Sequence, residues 1–185
     1  MTTSTLWFLA DQATRRAEAA YYRLRDDYAG FLEWNRSRRV SRSYFRTLAN
    51  RTRQSGAPFG SHTVVRDDDR LLLVRHEGVD RWVVPGGEVE SGESYRAAAE
   101  RELLEEAGVE ATYDGLAMTT RFDIRCGEHT MWGVLPVFAA VAPGTDPTVS
   151  DPDGEISDAQ WFSVDALPAD TRSRAELLAW YDQCV

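Results

Sequence analysis

The chain has 185 residues, 43% of them hydrophobic, which suffices to bury one domain core with an appendage. Its formal net charge is −9 and all 21 basic residues are arginine, so the overall field disfavours general attraction to nucleic acid or an anionic membrane. Two cysteines, Cys126 and Cys184, exclude a disulfide framework and a structural zinc site and fit a reducing, cytoplasmic location. The lysine-free composition, with Asp67, Asp68 and Asp69 in one run, fits a halophile and a GC-rich genome equally.

The apolar patch at residues 6–10 is too short for a membrane span and lacks the flanks of a signal peptide. Apolar residues at Leu6, Leu9, Ala13, Ala17, Ala20, Leu24, Tyr28 and Phe31 predict an amphipathic helix over residues 6–32. A second helix is predicted from Ser41 or Ser43, with Tyr44, Phe45, Leu48 and Ala49 on one side, ending before the Gly/Pro-containing linker at 55–60. Residues 1–57 therefore read as an N-terminal helical hairpin and residues 58–185 as a second unit. A chain cut near Ser55 is expected to fold but to change its oligomeric state, because the apolar stripe must be buried somewhere.

Beyond the linker the pattern turns β-like. Strands are predicted at 61–65, 70–76 and 81–85, then at 116–125, 131–142 and 158–162, with helices over 97–109 and 172–184. Strands on both sides of a helix give an α/β or α+β layered fold around a mixed sheet.

The helix at 97–109 carries Glu100, Glu102, Glu105 and Glu106. At about 100° per residue, Glu102, Glu105 and Glu106 share one face and Glu100 projects from the other, where Arg96 can pair with it. Three like charges on one face, two of them in the last turn, oppose both one another and the helix dipole. Hard carboxylate oxygens clustered in this way suit Mg²⁺ or Mn²⁺ rather than zinc.

Residues 87–109 resemble the Nudix hydrolase signature, G-x5-E-x7-R-E-U-x-E-E-x-G-U with U a bulky aliphatic. The matching positions are Gly87, Glu93, Arg101, Glu102, Leu103, Glu105, Glu106, Gly108 and Val109. Average residue frequencies put a chance match at about 10⁻⁷. The resemblance runs from about Ser61 to the C-terminus and implies an α/β/α sandwich that hydrolyses pyrophosphate bonds with a divalent cation. It implies that Glu102 and Glu106, helped by Glu105 and the Gly87 carbonyl, hold the metal. It also implies a supporting role for Glu93, which Arg101 can clamp through its planar fork.

Outside the signature, Arg75, Arg81, Arg121 and Arg125 are candidates for phosphate contacts, and Trp82 or Phe122 for stacking on a base. His62, His76 and His129 are isolated and receive no catalytic role. For the general base the loop at 150–162 offers Glu155, just past Gly154, with Glu128 as runner-up. The favoured substrate is a nucleoside diphosphate linked to another moiety, such as ADP-ribose or a nucleotide sugar, because a helical extension can build a homodimer around a larger site. The alternatives are a pyrophosphohydrolase for oxidised nucleoside triphosphates and a nucleotide sensor without turnover.

Overall fold

The computed structural model describes residues 3–184. Helix α1 (Thr3–Asp27) is followed by strand β1 (Leu32–Arg39) and helix α2 (Arg42–Ser55). Strands β2 (Ser61–Asp67), β3 (Arg70–His76), β4 (Arg81–Val83) and the two-residue β5 (Gly86–Gly87) lead to helix α3 (Tyr95–Ala107). Strands β6 (Thr112–Cys126), β7 (His129–Val141) and β8 (Ile156–Ser163), a short 3₁₀ turn and helix α4 (Arg174–Cys184) complete the chain.

The strands form one open mixed sheet in the order β1-β6-β7-β2-β3-β4, with β5 added to β2 and β8 to β3. Alternation along the strands explains the layers. On one face Val64, Leu71 and Leu73 pack with Leu177 and Trp180 of α4, and on the other Val65, Leu72 and Val74 pack with Leu103 and Ala107 of α3. A register shift between Leu116 and Met118 lets Leu116 face α1 while Met118 joins the α4 side. The α/β/α sandwich around a mixed sheet is therefore present. Among the described residues no helix is long and apolar enough to cross a membrane.

The N-terminal segment differs from a helical hairpin. Both helices exist and pack together, but α1 ends at Asp27, five residues before the predicted end, and β1 lies between them. Gly30, at φ 75°, turns the chain. All eight residues of β1 pair in parallel with β6, from Leu32 opposite Met118 to Arg39 opposite Arg125. The apolar stripe finds its partners inside the chain: Leu6, Ala10 and Ala13 pack with Phe45, Leu48 and Ile124, and Ala20 and Leu24 with Val134 and Phe138.

Candidate active site

Helix α3 is fixed at both ends by its own sequence. The Ser94 hydroxyl accepts the Ala97 N–H at 3.1 Å, and Gly108, at φ 64°, donates its N–H to the Leu104 carbonyl at 2.9 Å. With Leu103 and Ala107 buried against the sheet, Glu102 and Glu106 turn toward the loop that carries β5. Glu106 accepts the Gly86 N–H at 2.8 Å. A Cβ on Gly87 would stand 2.5 Å from the Glu102 carboxylate, so a larger residue there would displace that side chain. Glu100 points away and pairs with Arg96 at 2.8 Å.

Arg101 ties the loop to the helix. Its Nε and Nη2 each donate to Glu93 at 3.1 Å, Nη2 also donates to the Glu88 carbonyl at 2.9 Å, and Nη1 donates to Glu102 at 2.8 Å and Glu105 at 3.1 Å. The hydrogen bond from Arg101 holds the Glu93 carboxyl below its ordinary range. Burial pushes Glu102 up, against the pull of Arg101. Glu106 is pushed up to about 8, mainly by burial, with the Gly86 N–H opposing and Glu102, Asp151 and Glu155 adding repulsion.

The Glu106 value has a consequence for the metal-free protein. Glu106 ionises near 4.5 when unperturbed and near 8 when folded. The folded state thus holds the extra proton, and stability falls as pH rises through that window. Glu106→Gln should remove this slope, stabilising the protein at pH 9 by on the order of 2–5 kcal/mol and by almost nothing at pH 4.5. Urea unfolding in EDTA at the two pH values measures it, and parallel stability profiles for the two proteins would contradict the assignment.

The carboxylates open onto a cleft of about 930 Å³. Asp151, Asp153 and Glu155 line the same cleft from the loop before β8. This loop is shaped by the Asp151 carboxylate, which accepts the N–H groups of Asp153 at 3.0 Å, Glu155 at 2.5 Å and Ile156 at 2.8 Å. Glu155 is exposed at the rim, with its Oε2 3.5 Å from His76 Nε2. Glu128 lies in the β6–β7 turn, outside the cleft. His62 lines the cleft with Nε2 3.0 Å from the Phe59 carbonyl oxygen, and burial lowers its pKa.

Of the six residues named as substrate-binding candidates, Phe122 lines the cleft, whereas Arg75, Arg81, Trp82, Arg121 and Arg125 are not among the lining residues. Arg75 is paired with Asp170 and Asp80 on the β3–β4 side. Arg81 is exposed on β4, and Trp82 packs edge-on against Phe162 at 4.8 Å between ring centroids. Arg121 lies over Trp132 at 4.2 Å and pairs with Asp123. Arg125 is exposed near the β6–β7 turn. Strand alternation explains Arg121: it faces opposite to its neighbours Thr120 and Phe122, which do line the cleft. In place of the expected arginines the cleft has Arg36 and Arg38 from β1 and Arg172 from the turn before α4. The signal for the first two was the alternation of Trp34, Arg36 and Arg38 in a segment poor in apolar residues.

Among the described residues no three His, Cys, Asp or Glu side chains already converge as a metal-ligand set. Arg101 engages Glu102 and Glu105, while Glu106 is held on the Gly86 N–H. The donor chemistry nevertheless fits a hard divalent cation: the side chains are carboxylates, and the burial and mutual repulsion that disfavour ionised Glu106 are what a nearby cation offsets.

A mixed sheet between helical layers, with a loop-helix carboxylate site, defines the class of this protein as an α/β/α fold. The NUDIX domain family model matches residues 59–181, and the chain belongs to the Nudix family. A Bacillus subtilis (strain 168) protein named "Putative 8-oxo-dGTP diphosphatase" is 32% identical over 106 residues, covering 57% of this chain and 65% of that protein. The chain thus matches just under two thirds of that relative's length. A solved UDP-X diphosphatase has a TM-score of 0.50 at 27% identity, covering 68% of this chain and 63% of its own. A NUDIX hydrolase from Nitrosomonas europaea, at 19% identity, 66% and 69% coverage and a TM-score of 0.53, supports the fold alone.

Proposed function

We propose that this protein hydrolyses the pyrophosphate bond of a nucleoside diphosphate linked to a second moiety, of the ADP-ribose or nucleotide-sugar type. The observation that carries the reading is the extent of the cleft. It runs from Glu102 and Glu106 across Met118, Phe122 and Val137 to β1, and about 930 Å³ is room for a nucleotide and an attached group.

Glu102 and Glu106, with Glu105 and the Gly87 carbonyl, are the groups proposed to hold Mg²⁺ or Mn²⁺. When bound, such an ion neutralises phosphate oxygens and acidifies water. The chain supplies the rest. Arg101 keeps α3 and its preceding loop in one geometry through Glu93 and the Glu88 carbonyl. The apolar floor orients the nucleoside or its attached group, and Glu155 takes the proton from the water that attacks phosphorus. The P–O bond of the anhydride breaks, leaving two phosphate-bearing fragments. Glu155→Gln should lower kcat roughly 10²- to 10⁴-fold with little change in KM. Steady-state kinetics in which that variant keeps more than about a tenth of kcat while Glu128→Gln loses it, against that range, would move the base to the hairpin.

The relative named for 8-oxo-dGTP favours a second reading, in which an oxidised nucleoside triphosphate is the substrate. The decisive experiment incubates the protein and Mg²⁺ with ADP-ribose, nucleotide sugars and oxidised dGTP and identifies the products by phosphorus NMR. Two nucleotide or sugar monophosphates support the first reading, and inorganic pyrophosphate supports the second. Binding without products from any compound supports a sensor. A homodimer belongs to the same proposal, since Trp7, Phe8 and Tyr22 remain exposed on α1, and mass in solution tests it.

A further inference from the structure

The cleft has two electrostatic poles. At one end Glu102, Glu106, Asp151, Asp153 and Glu155 gather around α3 and the loop before β8. At the other stand Arg36 and Arg38 from β1 and Arg172 from the turn before α4. Three guanidinium groups face one carboxylate, because Glu176, which also lines this end, pairs with Arg36 alone. Arg38 lies over Phe59 and Phe122 at 5.1 and 5.6 Å from their centroids. Arg172 is held at its backbone by the Trp82 carbonyl at 2.8 Å, while its guanidinium makes no hydrogen bond or ion pair among the described residues.

Arg172 is exposed on the cleft side, yet the surrounding walls remove enough water to lower its pKa, and Arg38 and Arg36 depress it further. Tyr44 opposes the shift and Arg81 adds to it. Cations assembled in this way repel one another until an anion enters. Partial desolvation among like charges is the arrangement that a phosphate, accepting several guanidinium hydrogen bonds at once, relieves.

The poles are far enough apart to hold separate groups. From β5, beside Glu102 and Glu106, the sheet runs through β2, β7 and β6 to β1. Four strand spacings amount to about 19 Å between the backbones of β5 and β1, a separation that applies to Arg36 and Arg38, since the Arg172 backbone is bonded to Trp82 of β4. Between the poles the floor is Met118, Thr120, Phe122, Leu135 and Val137, four of the five apolar.

We propose that Arg36, Arg38 and Arg172 form a subsite for a second phosphate, a monoester carried on the ribose of the nucleoside whose 5′-pyrophosphate is cleaved. The preferred substrates are then nucleoside diphosphate derivatives bearing a further phosphate, a class narrower than the general reading above, on which this proposal rests. The subsite is supplied largely by the N-terminal segment, because two of its arginines belong to β1, outside the residues matched by the NUDIX domain.

Substrate pairs that differ by that phosphate test it in the full-length protein with Mg²⁺: NADPH against NADH, and coenzyme A against 3′-dephospho-coenzyme A. In at least one pair kcat/KM should favour the phosphorylated member roughly tenfold to hundredfold. Arg172→Gln and Arg38→Gln should each bring that ratio below about three, while thermal melts verify folding. A ratio near one in both pairs overturns the subsite and leaves the hydrolase reading standing. Substitutions that slow both members equally overturn it too, since the arginines then serve the scissile pyrophosphate itself. Calorimetry in EDTA with adenosine 2′,5′-bisphosphate, adenosine 3′,5′-bisphosphate and AMP reads the subsite without turnover. Tighter binding of either bisphosphate that disappears in Arg172→Gln supports the subsite even if no pair is hydrolysed, the hydrolase reading then resting on the assay with ADP-ribose, nucleotide sugars and oxidised dGTP. Equal binding of all three nucleotides overturns the subsite.

Discussion

Glu102→Gln and Glu106→Gln should each lower Mg²⁺-dependent hydrolysis by roughly 10³- to 10⁵-fold, equivalent to about 4–7 kcal/mol of lost transition-state stabilisation. Both side chains open onto the cleft from α3, and Glu106 is seated against the Gly86 N–H. Glutamine keeps the shape and can accept the same hydrogen bond, but it removes the negative charge that holds a cation against a phosphate. The fold should survive, because the change relieves like-charge repulsion between neighbouring turns. Glu100→Gln is the control. It lies on the same helix but points outward, where it only pairs with Arg96, and such exposed pairs contribute about 0.3–0.5 kcal/mol. Kinetics across the three variants, with circular dichroism to verify the helix, form the measurement. Turnover within tenfold of the parent in either site variant would remove that residue from the metal-binding proposal.

The part of the site read best from sequence is the part that depends on short spacing. The helical period alone separates Glu100 from Glu102 and Glu106, and the structure shows the same separation. The ends of α3 are set by local hydrogen bonds at Ser94 and Gly108, which start and stop the helix two residues before the predicted 97–109. The other end of the cleft depends on pairings distant in sequence. Strand β1 carries Trp34 as its main apolar residue beside three arginines, and it is a strand because β6 lies alongside, not because of its own apolar pattern. Tyr28 and Phe31 extend the helical period of α1 numerically, yet they pack beside Phe138 and Leu116 from beyond the helix end. Arg172 had no local signal at all, since its place follows from a backbone bond to β4. The arginines favoured from sequence stood on predicted strands, but strand position without the register cannot tell Arg121, stacked on Trp132, from its cleft-facing neighbour Phe122.

Removal of residues 1–57 should leave a polypeptide without a cooperative thermal transition at the temperature where the full chain melts. The cut takes β1 from β6 and converts an interior strand of fifteen residues into an exposed edge, a template for aggregation. It strips α1 and α2 from a surface that includes Ile124, Met131, Val134 and Phe138, and it removes the Gly56 carbonyl that accepts the Val134 N–H at 3.0 Å. The lost partners Leu6, Leu24, Phe45 and Leu48 are each almost wholly buried, and such side chains contribute about 1.5–3 kcal/mol apiece. Their sum is comparable with the roughly 5–15 kcal/mol that stabilises a typical domain. The ordering entropy of the deleted segment is removed as well, which lessens the net loss but does nothing to cover the surface left behind. Single substitutions give the same answer without deletion: Phe45→Ala and Leu48→Ala should each cost about 2–5 kcal/mol in urea unfolding, because both sit between α1 and the sheet. A truncated chain that melts cooperatively within about 5 °C of the full protein, a shift typical of only about 1 kcal/mol, would show instead that residues 58–185 fold by themselves. In that case β1 would serve the cleft through Arg36 and Arg38 alone, and the truncated protein would keep its carboxylate pole while losing its preference for a second phosphate.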